Sequence, residues 1–470
     1  MAQTDAIAGF NPFERRWERT RRTIYNSLAH YDSNLKLQPE LAEKWSLAAD
    51  GKSMTFKLRE GVKYHSGREF TSADVKFSLE FAAGDERTLQ RPMYQMIKQI
   101  ETPDKYTVVL RMAAPNANIF DLIDVTHAID KETINDSAKI GIGTGPFRVD
   151  KFVPSDRIEM VANKDYWDKG KPYVDRYVSR IVPDPSAMAV WVESGEVDCV
   201  WRASYSDAAR LQASGGKVLV DTGAQGSGMF DVGINTKLAP FTDKRVRQAI
   251  AWSIDRERFC RTVTQGISKP TCLIWPPHSW AYQKDLEGKI GYDLDKAKAL
   301  LKEAGLEKGF ETEILTSAKR QFGYGELAQL LQADLKKIGI NAKLADVEPA
   351  QYDSRTQQGD IAILAHTYGR ANMDPATTLT AAKSWYSEKD KGWTHFESAE
   401  YDRLRTELQT ELDHEKRVKL ARAVQELALD QCFTLPVAGS GSIWLYASYL
   451  KGLRYDFVDA PYAEDFWLDK

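Results

Sequence analysis

The stretch Met229 to Arg256, MFDVGINTKLAPFTDKRVRQAIAWSIDR, decides how the rest of the chain is read. Phe230, Val232 and Ile234 alternate with Asp231, Gly233 and Asn235, the period-two pattern of a half-buried strand. Ala239-Pro240-Phe241 then breaks the pattern, because proline fixes φ and offers no donor to a ladder. Thr242 is a suitable N-cap for a helix that carries Val246, Ala249, Ile250 and Ile254 on one face. An extended segment that turns abruptly into a helix suits a passage from one lobe into another.

Working outward, the 470 residues exceed what one hydrophobic core normally covers, so two or three domains are expected. Apolar residues at 43% and charged ones at 28% match a soluble globular chain. A net charge of -3 lacks the basic footprint of a nucleic-acid binder. Apolar runs such as Ala187 to Val192 are far short of a membrane span, so no membrane insertion is expected. The N-terminus lacks the charged-then-apolar form of a secretion signal and looks short, with Ala6 to Phe10 before the Asn11-Pro12 step.

Residues 13 to 29 read as a helix with Trp17, Ile24, Tyr25 and Leu28 inward and five arginines on a solvated face, paired with Glu14 and Glu18. Met54, Phe56 and Leu58 alternate along a strand, Gly61 and Gly67 permit turns, and Thr71 caps a helix holding Val75 and Leu79. Tyr106 to Met112 alternates again. The glycine-rich GIGTGPF at 141 to 147 has Pro146 where a phosphate loop needs lysine, and 223 to 228 fails the dinucleotide fingerprint, so both read as turns. Pro172 to Asp198 reads as strand, helix, strand. Helices follow at Asp293 to Gly305, at Leu327 to Ile338 and at about 415 to 430, with a strand at Ala342 to Val347. Thr434 to Val437 is apolar and extended, and reads as a crossing back.

These residues also carry a resemblance. GINTKLAPFTDKRVRQAIAWSIDR, with Asn235, Pro240, Phe241, Asp243, Arg245, Val246, Arg247, Ala249 and Asp255, resembles the large extracytoplasmic solute-binding proteins of ABC importers. That is family 5, the peptide-, nickel- and opine-binding type. Gly51, Thr55, Phe56, Leu58, Arg59, Gly61, Val62, His65, Gly67, Phe70, Thr71, Asp74, Val75, Phe77 and Ser78 are similar to its most ordered signature. YNSLAHYD at 25 to 32, LAEKW at 41 to 45 and the G-T-G-P-aromatic turn follow in the family's order. The resemblance implies an α/β, two-lobed, type II periplasmic-binding-protein-like fold with an extra small α+β domain inserted in lobe I. Lobe I would comprise 1–40, 145–233 and 436–470, the inserted domain 41–144 and lobe II 234–435. It further implies a periplasmic or outer-face location, a monomer, a small-molecule solute held between the lobes and ABC permease transmembrane subunits as partners. Members are exported, so Met1-Ala2-Gln3 would be a mature start with an added methionine.

No H-E-x-x-H, G-x-S-x-G or Walker-type loop is present, and the seven histidines show no ligand spacing, so neither a catalytic residue, a metal nor a cofactor is expected. His65 reads as a hydrogen-bonded turn residue. Cys260 and Cys272 are near enough for a disulfide in an oxidising compartment, and buried free thiols are the other reading, above all for Cys199 and Cys432.

The expected ligand-facing segment is DIAILAHTYGRANMDPAT at 360 to 377, a strand at Ile361 to Leu364 running into a polar loop. The resemblance assigns Tyr368, Arg370, Asn372 and Asp374 to the ligand, with core packing for Tyr368 and helix capping for Asp374 as the plain alternatives. Trp393, Trp275 and Trp280 are candidates for stacking, with packing as the plain alternative for each, and Phe10 and Asn11 stand where the family's first strand ends. Peptide-binding members place an acid four positions before the proline, and Ala371 stands there. A buried ammonium would lack a partner, whereas Arg370 suits a carboxylate or phosphate. The expectation is therefore an organic acid, an opine-like conjugate or a sugar derivative. Oligopeptides and metal chelates are the alternative within the class, and a carboxylate-dependent hydrolase is the alternative outside it.

Overall fold

In the segment Ser53–Leu58, Met54, Phe56 and Leu58 are buried while the residues between them are not, as the alternation predicts. The computed structural model describes all residues except 4–8, 14–17, 33–35, 89–90, 135–140, 183–185, 223–227, 321, 372 and 457–459. The chain divides into two compact units, Met1–Ala224 with Ser442–Lys470, and Gln225–Gly441. The division lies at 224/225 and 441/442, whereas the expected borders were 233/234 and 435/436. The difference has a local cause: strands Gly228–Ile234 and Thr434–Ser440 pair with each other inside unit 2.

Unit 1 holds two main sheets. One has seven strands in the order Val218–Asp221, Trp444–Ala447, Cys199–Trp201, Ala2–Gln3, Arg176–Ile181, Arg157–Ala162, Phe147–Val153. The other joins Ala42–Leu47, Ser53–Leu58, Thr107–Met112 and Ile97–Asp104 in that order. Helix Ser72–Gly84 packs on this second sheet and starts with a capping box between Thr71 and Asp74.

The GTGP turn is fastened from two sides. His65 Nε2 lies 3.0 Å from the Gly145 carbonyl and its Nδ1 accepts the Gly143 N–H at 3.2 Å, so the ring is neutral with its proton on Nε2. Burial pushes the His65 imidazole down to about 4. On the other side the Gly145 N–H donates to the Ile24 carbonyl at 2.8 Å. A Cβ on Gly143 would sit 2.1 Å from that oxygen, which explains the glycine.

Of the helix expected over 13–29, the described helical residues are Glu18–Ile24, and it ends before residue 29; Trp17 and Glu14 lie outside the described residues. It stops because Asn26 Nδ2 and the Ser27 N–H both donate to the Glu40 carboxylate, at 2.7 and 2.9 Å, and the chain turns into strand Ala29–Tyr31. Arg22 departs from the solvated-face reading. It is 5% exposed and its guanidinium meets Asp124 at 2.9 Å and Asp456 at 2.5 Å. Removing either carboxylate would strand a buried charge.

Unit 2 is built on a five-stranded sheet in the order Ile340–Asp346, Phe310–Thr316, Ile363–Gly369, Gly228–Ile234, Thr434–Ser440. The first three strands are mutually parallel and the rest antiparallel. Gly228–Ile234 is therefore a central strand, buried along both faces rather than half-buried. Helix Lys244–Ser253 follows it, capped by Asp243 and not Thr242, and a second helix, Arg256–Thr262, is capped by Asp255. Helices Leu294–Glu303, Tyr324–Lys337 and His414–Gln431 fall where the apolar stripes predict them. All four cysteines are free and buried. Among the described residues no helix is long and apolar enough to cross a membrane. Among the same residues no group of three or more His, Cys, Asp or Glu side chains is placed to hold a metal ion.

Candidate functional site

The strand expected at Ile361 to Leu364 begins at Ile363 and runs on to Gly369, so Tyr368 belongs to the sheet and not to the loop. Its ring is 3% exposed and packs edge-on against Trp385 at 5.6 Å, and its hydroxyl donates to the Ile274 carbonyl at 2.8 Å. Burial holds its phenol well above the usual range. Trp275, next to Ile274, lies in the same apolar cluster together with Met229 and Ala371.

Beyond the strand, Arg370 takes φ +67, a left-handed conformation that turns the chain at once. Its carbonyl accepts the Met373 N–H at 3.2 Å and the Thr378 hydroxyl at 2.8 Å, and its side chain is half-buried. Asn372 lies outside the described residues. Asp374 caps helix Pro375–Ala381 by accepting the Ala376 N–H, and Arg417 binds the same carboxylate at 2.6 Å. Arg417 in turn lies over the Trp280 ring. Ala371 is fully buried, leaving no room for an acid without repacking.

One strand position earlier on the same face stands His366, whose ring meets Trp393 edge-on at 5.1 Å. Three tryptophans, Trp275, Trp385 and Trp393, thus lie near alternate residues of this strand, and their Nε1 donors are buried without an acceptor among the described residues. The Thr394 hydroxyl beside them is in the same condition. A buried donor left unpaired costs about 1–3 kcal/mol. Trp385 was not foreseen from the sequence. Extending the alternation of the strand through His366 and Tyr368 is the signal that would have pointed to its neighbourhood.

Asp231, His366 and Ser384 also meet here, and they test the hydrolase alternative. The Asp231 carboxylate and the Ser384 hydroxyl both stand at His366 Nε2, at 3.0 and 3.4 Å, and all three side chains are essentially inaccessible. A nucleophile and its orienting acid must flank opposite ring nitrogens. This trio does not form that relay.

Phe10 and Asn11 belong to unit 1. Phe10 is fully buried, edge-on to Phe152 at 5.0 Å, and its carbonyl accepts the Tyr25 hydroxyl. Asn11 is buried too, and its Oδ1 accepts the Phe13 N–H at 3.1 Å in a local turn. The structure thus brings Tyr368, Trp275 and Ala371 together within unit 2, with Trp393 joined through His366.

Comparison with known proteins supplies the family. Residues 36–390 match the model described as bacterial extracellular solute-binding proteins, family 5 Middle. The dipeptide-binding protein of Escherichia coli K12 is 28% identical over 95% of this chain and 90% of its own length. Heme-binding protein A of Haemophilus influenzae is 27% identical over 94% of this chain and 85% of its own. Among solved structures, the ABC transporter-associated periplasmic binding protein DppA from Helicobacter pylori in complex with peptide STSA covers all of this chain and 97% of its own, with a TM-score of 0.85 at 25% identity. AgaA from A. tumefaciens R10 in complex with agropinic acid covers all of this chain and 98% of its own, with a TM-score of 0.84 at 25% identity. The fold is the type II periplasmic-binding-protein fold expected. The chain belongs to the bacterial extracellular solute-binding proteins of family 5, and it is the solute-binding component of an ABC importer.

Proposed function

We propose that this protein captures a small, acceptor-rich solute, an organic acid, opine-like conjugate or sugar derivative, and delivers it to its permease. The observation that carries this reading is the set of buried donors without acceptors among the described residues, the Nε1 groups of Trp275, Trp385 and Trp393 with the Thr394 hydroxyl, beside the strand that ends at Gly369. Carboxylate and hydroxyl oxygens answer such donors, and the Arg370 guanidinium favours a carboxylate over an ammonium. Ala371, where peptide-binding members carry an acid, supports the same choice. The agropinic acid of AgaA and the peptide of DppA represent the two solute classes to be separated.

A thermal-shift screen of opines, organic acids, sugars and di- or tripeptides separates them, since a ligand at a hundredfold excess over its Kd adds about 2.7 kcal/mol. The expected hits are oxygen-rich acids or opines. Shifts with free peptides alone would replace this reading by the oligopeptide one. Conversion of a hit into product would replace it by an enzyme.

A further inference from the structure

Asp231 and His366 are register partners on adjacent strands of unit 2, and their side chains are 0% and 1% exposed. His366 Nε2 stands 3.0 Å from Asp231 Oδ2, while Nδ1 lies 3.0 Å from the Thr367 carbonyl. Nδ1 thus meets the Thr367 carbonyl, and Nε2 has the Asp231 carboxylate within reach, although neither oxygen of that buried carboxylate receives a hydrogen bond from a described residue. A neutral imidazole beside an ionised carboxylate would aim a lone pair at one of these acceptors. The arrangement closes when one further proton is present, either on the ring or on the carboxyl.

We propose that Asp231 and His366 share a proton that the folded protein keeps above neutral pH, which makes the sheet carrying Tyr368 a proton-linked element. With the proton the couple is neutral overall and ties the two strands side chain to side chain. Without it, a buried carboxylate faces an imidazole lone pair.

The surroundings decide how firmly the proton is held. Burial pushes the Asp231 carboxyl up, and His366 pulls it the other way. From helix Arg256–Thr262, the buried Arg256 guanidinium favours the ionised carboxylate, though its own N–H groups are engaged by the Pro436 and Ala251 carbonyls. Tyr352, from helix Pro349–Gln358, and Tyr368, from the same strand as His366, are held neutral by burial. Strand Thr434–Ser440 faces the couple with backbone at Leu435 and Pro436. The Ser384 hydroxyl and the Trp393 ring close the His366 side.

The linkage has a definite sign. In the unfolded chain the imidazole gives up its proton near pH 6.5. The folded couple retains it, so above that pH the folded state binds one proton more and stability falls as pH rises, until the couple also releases. Solute capture by the strand end would weaken over the same range, a consequence that rests on the proposed function. The proton itself does not.

Two measurements on the full chain, neither needing a solute, test the proposal. In the native protein at pH 8, nitrogen-15 and carbon-13 spectra should show protons on both His366 ring nitrogens or a protonated Asp231 carboxyl, assigned by difference with His366→Gln. An ionised Asp231 beside a singly protonated ring would overturn the idea. The unfolding constant of the wild type should rise about tenfold per pH unit above about 6.5 from this couple. In Asp231→Asn, whose amide can donate to Nε2 without any titration, that one-proton slope should vanish. Equal slopes for the two proteins would overturn it as well. Should Asp231→Asn fail to fold, the spectra decide alone.

Discussion

Arg417 and Asp374 meet at 2.6 Å, and the same carboxylate accepts the Ala376 N–H, so the acid beside Pro375 is engaged in holding the turn that follows Arg370. Both side chains are nearly buried, 9% and 11% exposed. Either Arg417→Met or Asp374→Asn should cost about 3 kcal/mol, because each leaves a largely buried charge without its partner. The double variant should cost little more than either single one, read from denaturant unfolding in a double-mutant cycle. A loss of solute affinity confined to Asp374→Asn would instead make this acid a ligand contact.

Tyr368 and Arg370 should separate cleanly. Tyr368→Phe leaves the Ile274 carbonyl unpaired and should lower stability by about 1–2 kcal/mol while the affinity for a hit is retained. Arg370→Ala should weaken an anionic hit at least tenfold, about 1.4 kcal/mol, by calorimetric titration. Unchanged affinity in Arg370→Ala would move the solute away from this strand end.

Glycine substitutions distinguish crowding from backbone strain. Gly145→Ala would place a Cβ 2.5 Å from the Ile24 carbonyl carbon and should cost about 3 kcal/mol. At Gly170, with φ +88 and nothing within 4 Å of the new carbon, alanine should cost about 1 kcal/mol from conformation alone. Thermal unfolding ranks the two, and a reversed order would contradict the packing of the turn on Ile24.

His65 should make the protein acid-sensitive. Its folded pKa is depressed to about 4 by burial, so its contribution is complete above the unfolded value of about 6.5 and is lost as pH falls from there toward 4. The residue as a whole is only half-buried, and with solvent screening allowed for the loss should be about 2 kcal/mol. His65→Gln should flatten stability between pH 6.5 and 4, and an unchanged slope would refute the clasp on the Gly143–Gly145 turn.

The thiols should be silent in the native state. Burial pushes Cys260 and Cys432 up to about 12 and Cys199 up to about 11, so little thiolate is available. A chromogenic thiol reagent at pH 8 should react slowly before denaturation and with all four cysteines after it. Fewer than four reactive groups after denaturation would point to a cross-link.

Where one face of an element meets a core and the other meets water, the sequence was legible. Met54, Phe56 and Leu58 show this for a strand, and Ala297 and Leu301 for a helix. Reading failed where burial depends on a partner far along the chain. Asp231 and Gly233 looked solvent-facing by composition, yet His366 receives the acid, and Gly233 leaves space that Thr394 and His366 occupy. Arg22 reads as part of a solvated basic run, and its partners Asp124 and Asp456 lie 102 and 434 residues further along the chain. The polar His366 and Thr367 hide the second half of strand Ile363–Gly369 from a reading by apolar residues, which is why Tyr368 reads as a loop residue. No local pattern distinguishes a polar residue in water from one satisfied by a distant side chain.

The seven-stranded sheet of unit 1 holds Trp444–Ala447 between Val218–Asp221 and Cys199–Trp201, antiparallel to both. In chain order unit 2 is complete at Gly441, before that strand begins, so unit 2 can form its own sheet while its host still has an open slot flanked by two unpaired strand edges. A ribosome-stalled or proteolytically clipped chain ending before Ile443 would display those edges to any passing extended peptide, and a holding chaperone would be the natural guard for that interval.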